Sequence, residues 1–490
     1  MTAELTYRRR MGVLAICCMS LLIVSLDTTI LNVALPAIRR ELGASVSGLQ
    51  WTIDAYILVL ASLLMLAGST ADRVGRRRVF QTGLVVFTAG SVLCSLAPSL
   101  GWLVAFRMVQ AVGGSMLNPV AMSIITNTFT DPRERARAIG FWGSVVGISM
   151  AAGPLVGGLL VDTVGWRSVF LINLPVGVAA LVLTALFVPE SRAARARRID
   201  PVGQVLVVLL LGPLTFGIIE APALGWTSPL ITGCLVVAGC ALAGLVLYER
   251  RREDPLIDPR FFRSAPFSGA SAIAVCGFAA LGGFLFLNTL YLQDVRGMSA
   301  LHAGLYLLPM ALTMLLSSPL AGRLVAARGA RPSLLAAGAA MTLGGALPAV
   351  TGAGVRGAGD GIHDVLLLVS FVLFGVGMGL LNAPVTDTAV SGMPASQAGV
   401  AAGIASTSRQ VGQVLGVAVI GSVIAAGVGG AVAAGPGFTG AAHASWWIIT
   451  GCGAAVLVLG AVTTGPWARS TAEHAGALIA AEEARAKSAA

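Results

Sequence analysis

Three ionisable side chains lie within long apolar runs of the sequence, where a charge is costly. They are Asp27, Asp54 and Arg107. A charged group at membrane depth costs a few kcal/mol or more, which makes each of them a candidate functional residue. Burial favours the neutral carboxyl, whereas a neighbouring guanidinium favours the carboxylate. A carboxyl balanced between these influences can take up and release a proton, and as an anion it can attract a cationic substrate.

The same residues have structural interpretations that the sequence leaves open. Asp27 could be a hydrogen-bonding residue at a break in a helix, and Arg107 could form a fixed ion pair with Asp54 or Asp27. Aromatic residues in the neighbouring runs could line an apolar pocket, but most such residues are simply packed.

Three further ionisable residues belong to the candidate proton-coupling and substrate set. Glu220 lies near the outer end of an apolar run, where an interfacial role is at least as good an interpretation. Asp387 lies near the inner end of another run, where a capping or gating role competes equally. Arg409 lies within a run and is expected to have a buried partner.

A short polar segment separates the apolar runs 51–66 and 79–96. It contains two glycines, one carboxylate and four arginines. Glycine allows a positive φ and a close approach of helix ends. A carboxylate here can pair with an arginine or cap a helix N-terminus. We predict a cytoplasmic gating loop whose key residues are Gly68, Asp72, Arg73, Gly75 and Arg76.

Composition excludes most soluble classes. Apolar residues make up 56% of 490 and charged residues 11%, with a mean hydropathy of +0.86. A soluble domain carries about a quarter charged residues. The net charge of +10 does not indicate nucleic acid, because the arginines form short clusters between apolar runs without interleaved aromatic residues. The single lysine, Lys487, excludes a phosphate-binding loop of the G-x4-G-K-[ST] type.

Cysteine and histidine give no sign of a metal or disulfide framework. All seven cysteines lie in apolar segments and are expected to pack as small hydrophobes. The four histidines are scattered without ligand spacing. The first apolar run, 11–38, is too long for a signal peptide and lacks a small-residue cleavage site. No nucleophile–base pair is apparent either, which argues against an enzyme.

The apolar runs predict fourteen membrane-spanning helices, since each span needs about 20 apolar residues. They lie near 13–36, 49–68, 79–97, 101–126, 137–161, 167–188, 202–221, 229–248, 268–291, 301–325, 333–351, 364–386, 400–427 and 444–466. Basic residues favour one side by about five to one, which places both termini in the cytoplasm. The sequence thus predicts a multi-pass protein of the cytoplasmic membrane.

A weak internal repeat suggests the domain organisation. The segment 322–331 aligns with 68–77, with both glycines and one arginine recurring and Ala326 replacing the aspartate. Repeated halves are typical of transporters. We predict an N-terminal half at 1–190, a linker with two inserted helices at 191–263, a C-terminal half at 264–467 and a cytoplasmic tail at 468–490.

Several motifs in the right order resemble the major facilitator superfamily, and within it the fourteen-helix drug:proton antiporter group. The segment 68–78 resembles the signature loop between helices 2 and 3. Segments 26–36, 107–119 and 147–158 resemble the motifs of the first, fourth and fifth helices, and 408–412 fits the same group. In the fifth-helix motif, which is associated with antiporters, the key residues are Gly153, Pro154, Gly157 and Gly158. The resemblance departs at Ala111 and Ser149, where the family usually has glycine.

The resemblance implies an all-α polytopic fold with two six-helix halves plus two inserted helices. It also places spans 1, 2 and 4 around one half of a central cavity. At ~1.5 Å per residue, Asp27, Asp54 and Arg107 lie about 15, 8 and 9 Å from the outer ends of their predicted spans. They are therefore expected to share a layer.

The implied function is export of lipophilic, cationic drugs or antibiotics in exchange for protons, by alternating access. No cofactor is expected besides the coupling proton. The expected partners are the substrate, protons and membrane lipid, without nucleic acid, and the chain is expected to act as a monomer. The alternative is proton-coupled uptake or export of another small solute, such as a nutrient or a siderophore-like compound.

Overall fold

The fold is known from a computed structural model that describes residues 6–192, 200–252, 258–354, 361–391, 393, 397–428 and 435–488, without side chains at 132, 136, 398–399 and 479–488. Within these residues every regular element is helical. A helix satisfies its backbone hydrogen bonds internally, which long apolar segments require in a bilayer. The predicted all-α class is therefore confirmed.

Sixteen α-helices follow one another along the described chain. They are α1 (Tyr7–Leu42), α2 (Val46–Val74), α3 (Arg76–Ser95), α4 (Leu100–Thr128), α5 (Pro132–Thr163), α6 (Ser168–Leu171), α7 (Asn173–Phe187), α8 (Pro201–Leu224), α9 (Pro229–Glu249), α10 (Ala265–Leu290), α11 (Ala300–Arg328), α12 (Ala330–Thr351), α13 (Gly361–Val390), α14 (Ala398–Val428), α15 (Pro436–Thr463) and α16 (Pro466–Ser488). A 3₁₀ turn, Pro259–Arg263, precedes α10, and a π-helical turn, Tyr291–Val295, follows it.

Fourteen helices of the described chain are long and apolar enough to cross a membrane, as the sequence predicts. One of these spans, Ser168–Phe187, is divided into α6 and α7. The division places Asn173 at the first position of α7, within the apolar segment. The tail after the last span is helical as α16.

Contacts divide the chain into two compact units. Unit 1 comprises Met1–Gln204 and Leu292–Leu308, and unit 2 comprises Val205–Tyr291 and Pro309–Ala490. The predicted four-part domain division stays a prediction. Residues 193–199, at the start of the predicted linker, lie outside the described residues.

The segment 292–308 is joined to the first helices of unit 1 by polar contacts. Arg39 of α1 forms an ion pair with Asp294 at 2.9 Å. The carboxylate of Asp162, near the end of α5, accepts hydrogen bonds from the backbone N–H groups of Ala300 and Leu301 at 3.2 and 2.9 Å. Asp162 of α5 therefore caps the first turn of α11. The first N–H groups of a helix lack acceptors within the helix, and the helix dipole favours a negative charge beside them.

Unit 2 has an aromatic core around Phe284 of α10. Its ring stacks on Phe374 with centroids 4.3 Å apart and meets Phe371 and Trp446 edge-on at 5.1 and 5.6 Å. All four side chains are fully buried. Such pairs add stability beyond their area burial, so Phe284 packs the core rather than lining a pocket.

Candidate functional site

A buried ion pair between Asp27 and Arg107 forms the centre of the polar site in unit 1. Nη1 of Arg107 in α4 donates to Oδ2 of Asp27 in α1 at 2.5 Å. Both side chains are about 1% exposed. Of the two carboxylates that the sequence offered as partners of Arg107, the structure selects Asp27.

Two amide side chains complete the hydrogen bonding of Asp27. Gln110, one turn after Arg107, donates through Nε2 to Oδ1 of Asp27 at 2.8 Å, and its Oε1 accepts from Arg107 Nη1 at 2.8 Å. Asn173 donates through Nδ2 to the same Oδ1 at 3.0 Å and also contacts Ser91 Oγ at 3.0 Å. Both carboxylate oxygens are thus satisfied, as a buried charge requires.

The remaining surroundings of Arg107 come from α2 and α6. Its Nε donates to the backbone oxygen of Thr52 at 3.3 Å. Its Cζ lies 4.1 Å from the ring centroid of Tyr56 and 5.8 Å from that of Phe170. Aromatic faces attract a guanidinium most strongly where water is excluded. Arg107 is therefore held from several directions around its plane.

This arrangement can respond chemically to a proton. Protonation of Asp27 removes the negative charge that holds Arg107, while Gln110 Oε1 remains as an acceptor nearby. A buried guanidinium that loses its partner is strongly destabilised, by about 3–5 kcal/mol for comparable pairs. The charge on Asp27 is therefore the main electrostatic attraction between α1 and α4 at this point.

Asp54 differs from Asp27 in having no partner within the described residues. It is fully buried in α2, and neither carboxylate oxygen accepts a hydrogen bond there. The structure thus brings Asp27 and Arg107 together but does not bring Asp54 into their hydrogen-bonded network. The ionised form is costly in such a place, and a neutral carboxyl is the form that burial tolerates.

Arg409 lies on a polar face shared by α13 and α14 in unit 2. Its Nη1 donates to Thr386 Oγ1 at 3.4 Å, its one hydrogen bond among the described residues. Ser406 and Gln413 lie one turn before and after it, and Asn382 lies one turn before Thr386. All five side chains are half-buried. Among the described residues, the partner of Arg409 is therefore the half-buried hydroxyl of Thr386 and not a carboxylate.

The other two predicted charges lie near the C-terminal ends of their helices. Glu220 is half-buried in α8, four residues before the end of that helix. Asp387 is exposed in the last turn of α13, beside Thr386. Among the described residues, no group of three or more His, Cys, Asp or Glu side chains could hold a metal ion.

The predicted gating loop is almost entirely helical. α2 continues to Val74 and α3 begins at Arg76, so the turn consists of Gly75 alone, with φ of 124°. The helices extend beyond the predicted spans because their polar ends need not lie in hydrocarbon. Asp72 Oδ1 accepts from Nε and Nη2 of Arg76 at 3.2 and 2.9 Å. Of its two predicted roles, Asp72 thus pairs with an arginine.

Glu190, which follows α7, contacts this turn and was missed by sequence reasoning. Its Oε1 accepts from the backbone N–H of Arg77 at 3.1 Å, at the start of α3. A Cβ added to Gly75 would lie 2.6 Å from the same oxygen. Glu190 therefore occupies the capping position that a carboxylate favours at a helix N-terminus. Its place directly after span 6 was the available signal.

The remaining loop candidates have simpler environments. Arg73 is exposed in the last turn of α2, which suits a cation at a helix C-terminus. A Cβ at Gly68 would lie 3.9 Å from Pro119, an ordinary contact between α2 and α4. In the related segment 322–331, Gly329 has φ of 78° and open space around it.

The fifth-helix motif brings α5 close to two other helices. Its residues are Gly153, Pro154, Gly157 and Gly158. A Cβ at Gly153 would collide with Thr29 of α1, and one at Gly158 would lie 2.5 Å from Cα of Leu301. Small residues allow such close approach between membrane helices. The motif is thus a packing surface in this structure.

Comparison with known proteins places these features in context. A model of the Major Facilitator Superfamily matches residues 17–417. The multidrug resistance protein Stp of Mycobacterium tuberculosis is 39% identical over 410 residues, covering 83% of this chain and 74% of that protein. The tetracenomycin C resistance and export protein of Streptomyces glaucescens is 39% identical over 412 residues, with the same two shares, 83% and 74%.

Solved transporter structures share the fold at low identity. A POT family transporter, solved in complex with 5-aminolevulinic acid, superposes with a TM-score of 0.67 at 15% sequence identity. The match covers 92% of this chain and 94% of that one.

Proposed function

Because the chain belongs to the major facilitator superfamily, and is a multi-pass membrane transporter rather than an enzyme, we propose that it exports lipophilic compounds in exchange for protons. The compounds would be drugs or antibiotics, crossing the cytoplasmic membrane, and both chain termini would be cytoplasmic. The transporter would act as a monomer surrounded by membrane lipid. Relatives named for multidrug resistance and for tetracenomycin C export support this direction.

The observation that carries the proposal is the Asp27–Arg107 pair with its two amides. It is a buried network in which the two charges neutralise each other and both carboxylate oxygens accept hydrogen bonds. If the pair served only stability, hydrophobic residues of similar volume could replace it at little or no cost. A titrating carboxylate explains why charge is kept at this depth, since intramembrane ionisable residues mark ion pathways and proton relays.

We assign Asp54 and Asp27 different parts in proton movement. Asp54, without a partner among the described residues, would hold a proton in this state. Asp27, paired with Arg107, would be the ionised site ready to accept one. Each proton that enters down the membrane potential supplies about 2.3 kcal/mol per 100 mV.

Alternating access would require the contacts of segment 292–308 to break and re-form. These contacts include the Arg39–Asp294 pair and the Asp162 cap on α11. On the proposed orientation they lie on the outer side of the membrane. Glu220 and Asp387 would then contribute to proton coupling or substrate binding near the ends of their helices. Asp72 and its loop would control the conformational change at the cytoplasmic side.

Two substrate charges are candidates, a cationic group and an acidic group. A cationic substrate would be attracted by Asp27 or Asp54 once either is ionised and accessible. However, Asp27 is fully engaged with Arg107, Gln110 and Asn173. Arg409, with one weak hydrogen bond among the described residues, favours a second candidate, a substrate that carries an acidic group.

Transport in inverted membrane vesicles tests the proposal. An imposed proton gradient should drive accumulation of a fluorescent drug, and an ionophore that collapses the gradient should abolish it. Asp54→Asn imitates the protonated carboxyl and should leave folding intact while reducing gradient-driven accumulation about 10-fold or more.

Two results would contradict this mechanism. Accumulation that survives collapse of the gradient would exclude proton coupling. Proton-driven movement of solute toward the cytoplasm would support the alternative, uptake of a nutrient or siderophore-like compound.

A further inference from the structure

A cavity of about 580 Å³ lies between the cytoplasmic-side ends of α1 and α7 in unit 1. Its lower part is apolar, with Gly12, Ile16 and Met19 from α1 facing Leu183 and Leu186 from α7. Leu186 is 63% exposed. An apolar groove of this kind on the outside of a membrane helix pair is open to hydrocarbon rather than to a polar substrate.

Two arginines line the other end of the cavity. Arg8 and Arg9 are both exposed, and Nε of Arg9 donates to the backbone oxygen of Phe187, the last residue of α7, at 3.4 Å. The remaining N–H groups of these two guanidinium groups point to no carboxylate that the structure describes within ion-pair distance. An arginine pair above an apolar groove is complementary to a phosphate joined to an acyl chain.

The length of the groove agrees with this complementarity. From Arg8 to Met19 the helix advances eleven residues, or about 16 Å. One leaflet is half of the hydrocarbon core of roughly 30 Å, or about 15 Å. Since span 1 is predicted to begin near residue 13, the groove extends from the headgroup level about 9 Å into the hydrocarbon, which is the depth of the upper part of one acyl chain.

We propose that this cavity is a binding site for one anionic phospholipid, with its phosphate on Arg8 and Arg9 and an acyl chain along Gly12 to Met19. The anionic headgroups of the cytoplasmic leaflet supply the ligand if the N-terminus is cytoplasmic. The inference rests on that part of the proposed function only. Binding itself is independent of proton coupling and of the exported substrate.

A lipid in this site joins the two helices that carry the polar network. Asp27 belongs to α1 and Asn173 to α7, and they are hydrogen-bonded at 3.0 Å. Bound lipid therefore stabilises the pairing of these helices, and the purified protein should melt at a higher temperature when it is present.

Gly12 allows a direct test of the groove. A Cβ at Gly12 meets nothing within 4 Å, so Gly12→Leu fills the groove without a clash and keeps both arginines. Gly140→Leu is the matched control, because Gly140 in α5 has equally open surroundings away from the groove. Arg8→Gln with Arg9→Gln removes the charges, and Arg133→Gln with Arg137→Gln is its control at exposed positions.

Native mass spectrometry of the full chain in detergent measures the binding. With added dioleoyl phosphatidylglycerol, the wild type and both controls should retain one lipid, and dioleoyl phosphatidylcholine should be retained much less. The double arginine variant should bind phosphatidylglycerol about 30-fold more weakly. Gly12→Leu should bind it about 10-fold or more weakly.

Four results would overturn the proposal, and three of them identify a different occupant of the site. Equal retention by Gly12→Leu and wild type would exclude the acyl chain from the groove. Equal protection from melting by inorganic phosphate would make the arginines a phosphate site. Lipid binding only after removal of residues 2–5 would make the chain's own N-terminus the occupant, and a dimer without lipid would make it a second copy.

Discussion

Arg107 and Arg409 each lie deep within a membrane-spanning helix, one in each unit, and their surroundings differ sharply. Arg107 is 1% exposed and has a carboxylate, an amide, a backbone oxygen and two aromatic rings around it. Arg409 is half-buried, and within the described residues its one hydrogen bond is to Thr386 at 3.4 Å. The first guanidinium is neutralised and fixed, whereas the second retains most of its capacity to donate.

This difference indicates two uses of buried positive charge. A guanidinium whose donors are occupied can act only by losing its partner, as a proton switch does. A guanidinium on a half-exposed polar face can act by gaining a partner from outside the protein. On the proposed function, the first kind of use would serve proton coupling in unit 1, and the second would serve an acidic substrate in unit 2.

The related turn segments of the two units repeat the contrast. In unit 1, Asp72 pairs with Arg76, and Glu190 lies against Gly75. In unit 2, Ala326 replaces the aspartate, and nothing lies within 4 Å of a Cβ at Gly329. Among the described residues, the ionic contacts of the turn thus lie in unit 1.

The largest expected effect is at the neutralised pair. Asp27→Asn leaves Arg107 buried without its carboxylate, at a cost of about 3–5 kcal/mol, and should abolish proton-driven efflux. The double variant Asp27→Asn with Arg107→Gln removes both charges and should recover thermal stability but not transport. Melting temperature and dye efflux separate the two effects. Efflux by the double variant would show that the pair is only structural.

A smaller, selective effect is expected at Arg409. Arg409→Gln should weaken binding of an acidic test compound about 10-fold and leave a neutral analogue unchanged, since one charge-assisted contact is lost. Arg409→Lys should recover part of the affinity. Equilibrium binding in detergent measures both compounds. An equal loss for both would mean that Arg409 supports packing and would break the contrast with Arg107.

A kinetic effect is expected at Asp72. The Asp72–Arg76 pair is partly exposed, with side chains 31% and 12% accessible, so Asp72→Asn should cost at most about 1 kcal/mol of stability. Transport should slow while equilibrium drug affinity stays within a few-fold. Ala326→Asp in the other segment is the control and should leave transport unchanged. Equal losses of affinity and rate in Asp72→Asn would mean that the loop shapes the binding site.

The smallest expected effect is the difference in stability between alanine variants of the two turn glycines, Gly75 and Gly329. Both have positive φ, so alanine is strained at each, by about 1 kcal/mol. Gly75→Ala should cost more than Gly329→Ala, because the new methyl group meets Glu190. Melting temperatures of the two variants measure the difference. In a Glu190→Ala background the two costs should become equal.

The fold was accessible from the sequence because apolar length alone specifies spanning helices. Fourteen runs of sufficient length predict fourteen spans, and no detail of packing is needed. Helix ends were less predictable. The polar segment 68–78 was interpreted as a loop, yet helices continue through all of it except Gly75.

The site was only partly accessible. Asp27 and Arg107 were conspicuous as charges in apolar runs, but the choice between Asp27 and Asp54 as partner depends on helix rotation. Neutral amides such as Gln110 and Asn173 carry no comparable signal, although they hold the carboxylate. The lack of a described partner for Asp54 likewise follows from packing that one sequence does not specify.

The close packing of α5 also constrains how this transporter can diversify. At Gly153 and Gly158 even one added methyl group would strike a neighbouring helix, so natural variation there is expected to be purged. The half-buried side chains of the polar face around Arg409, such as Ser406 and Thr386, keep part of their surface accessible. Under selection by a new antibiotic, adaptive substitutions should therefore accumulate on α13 and α14 rather than along the glycine face of α5.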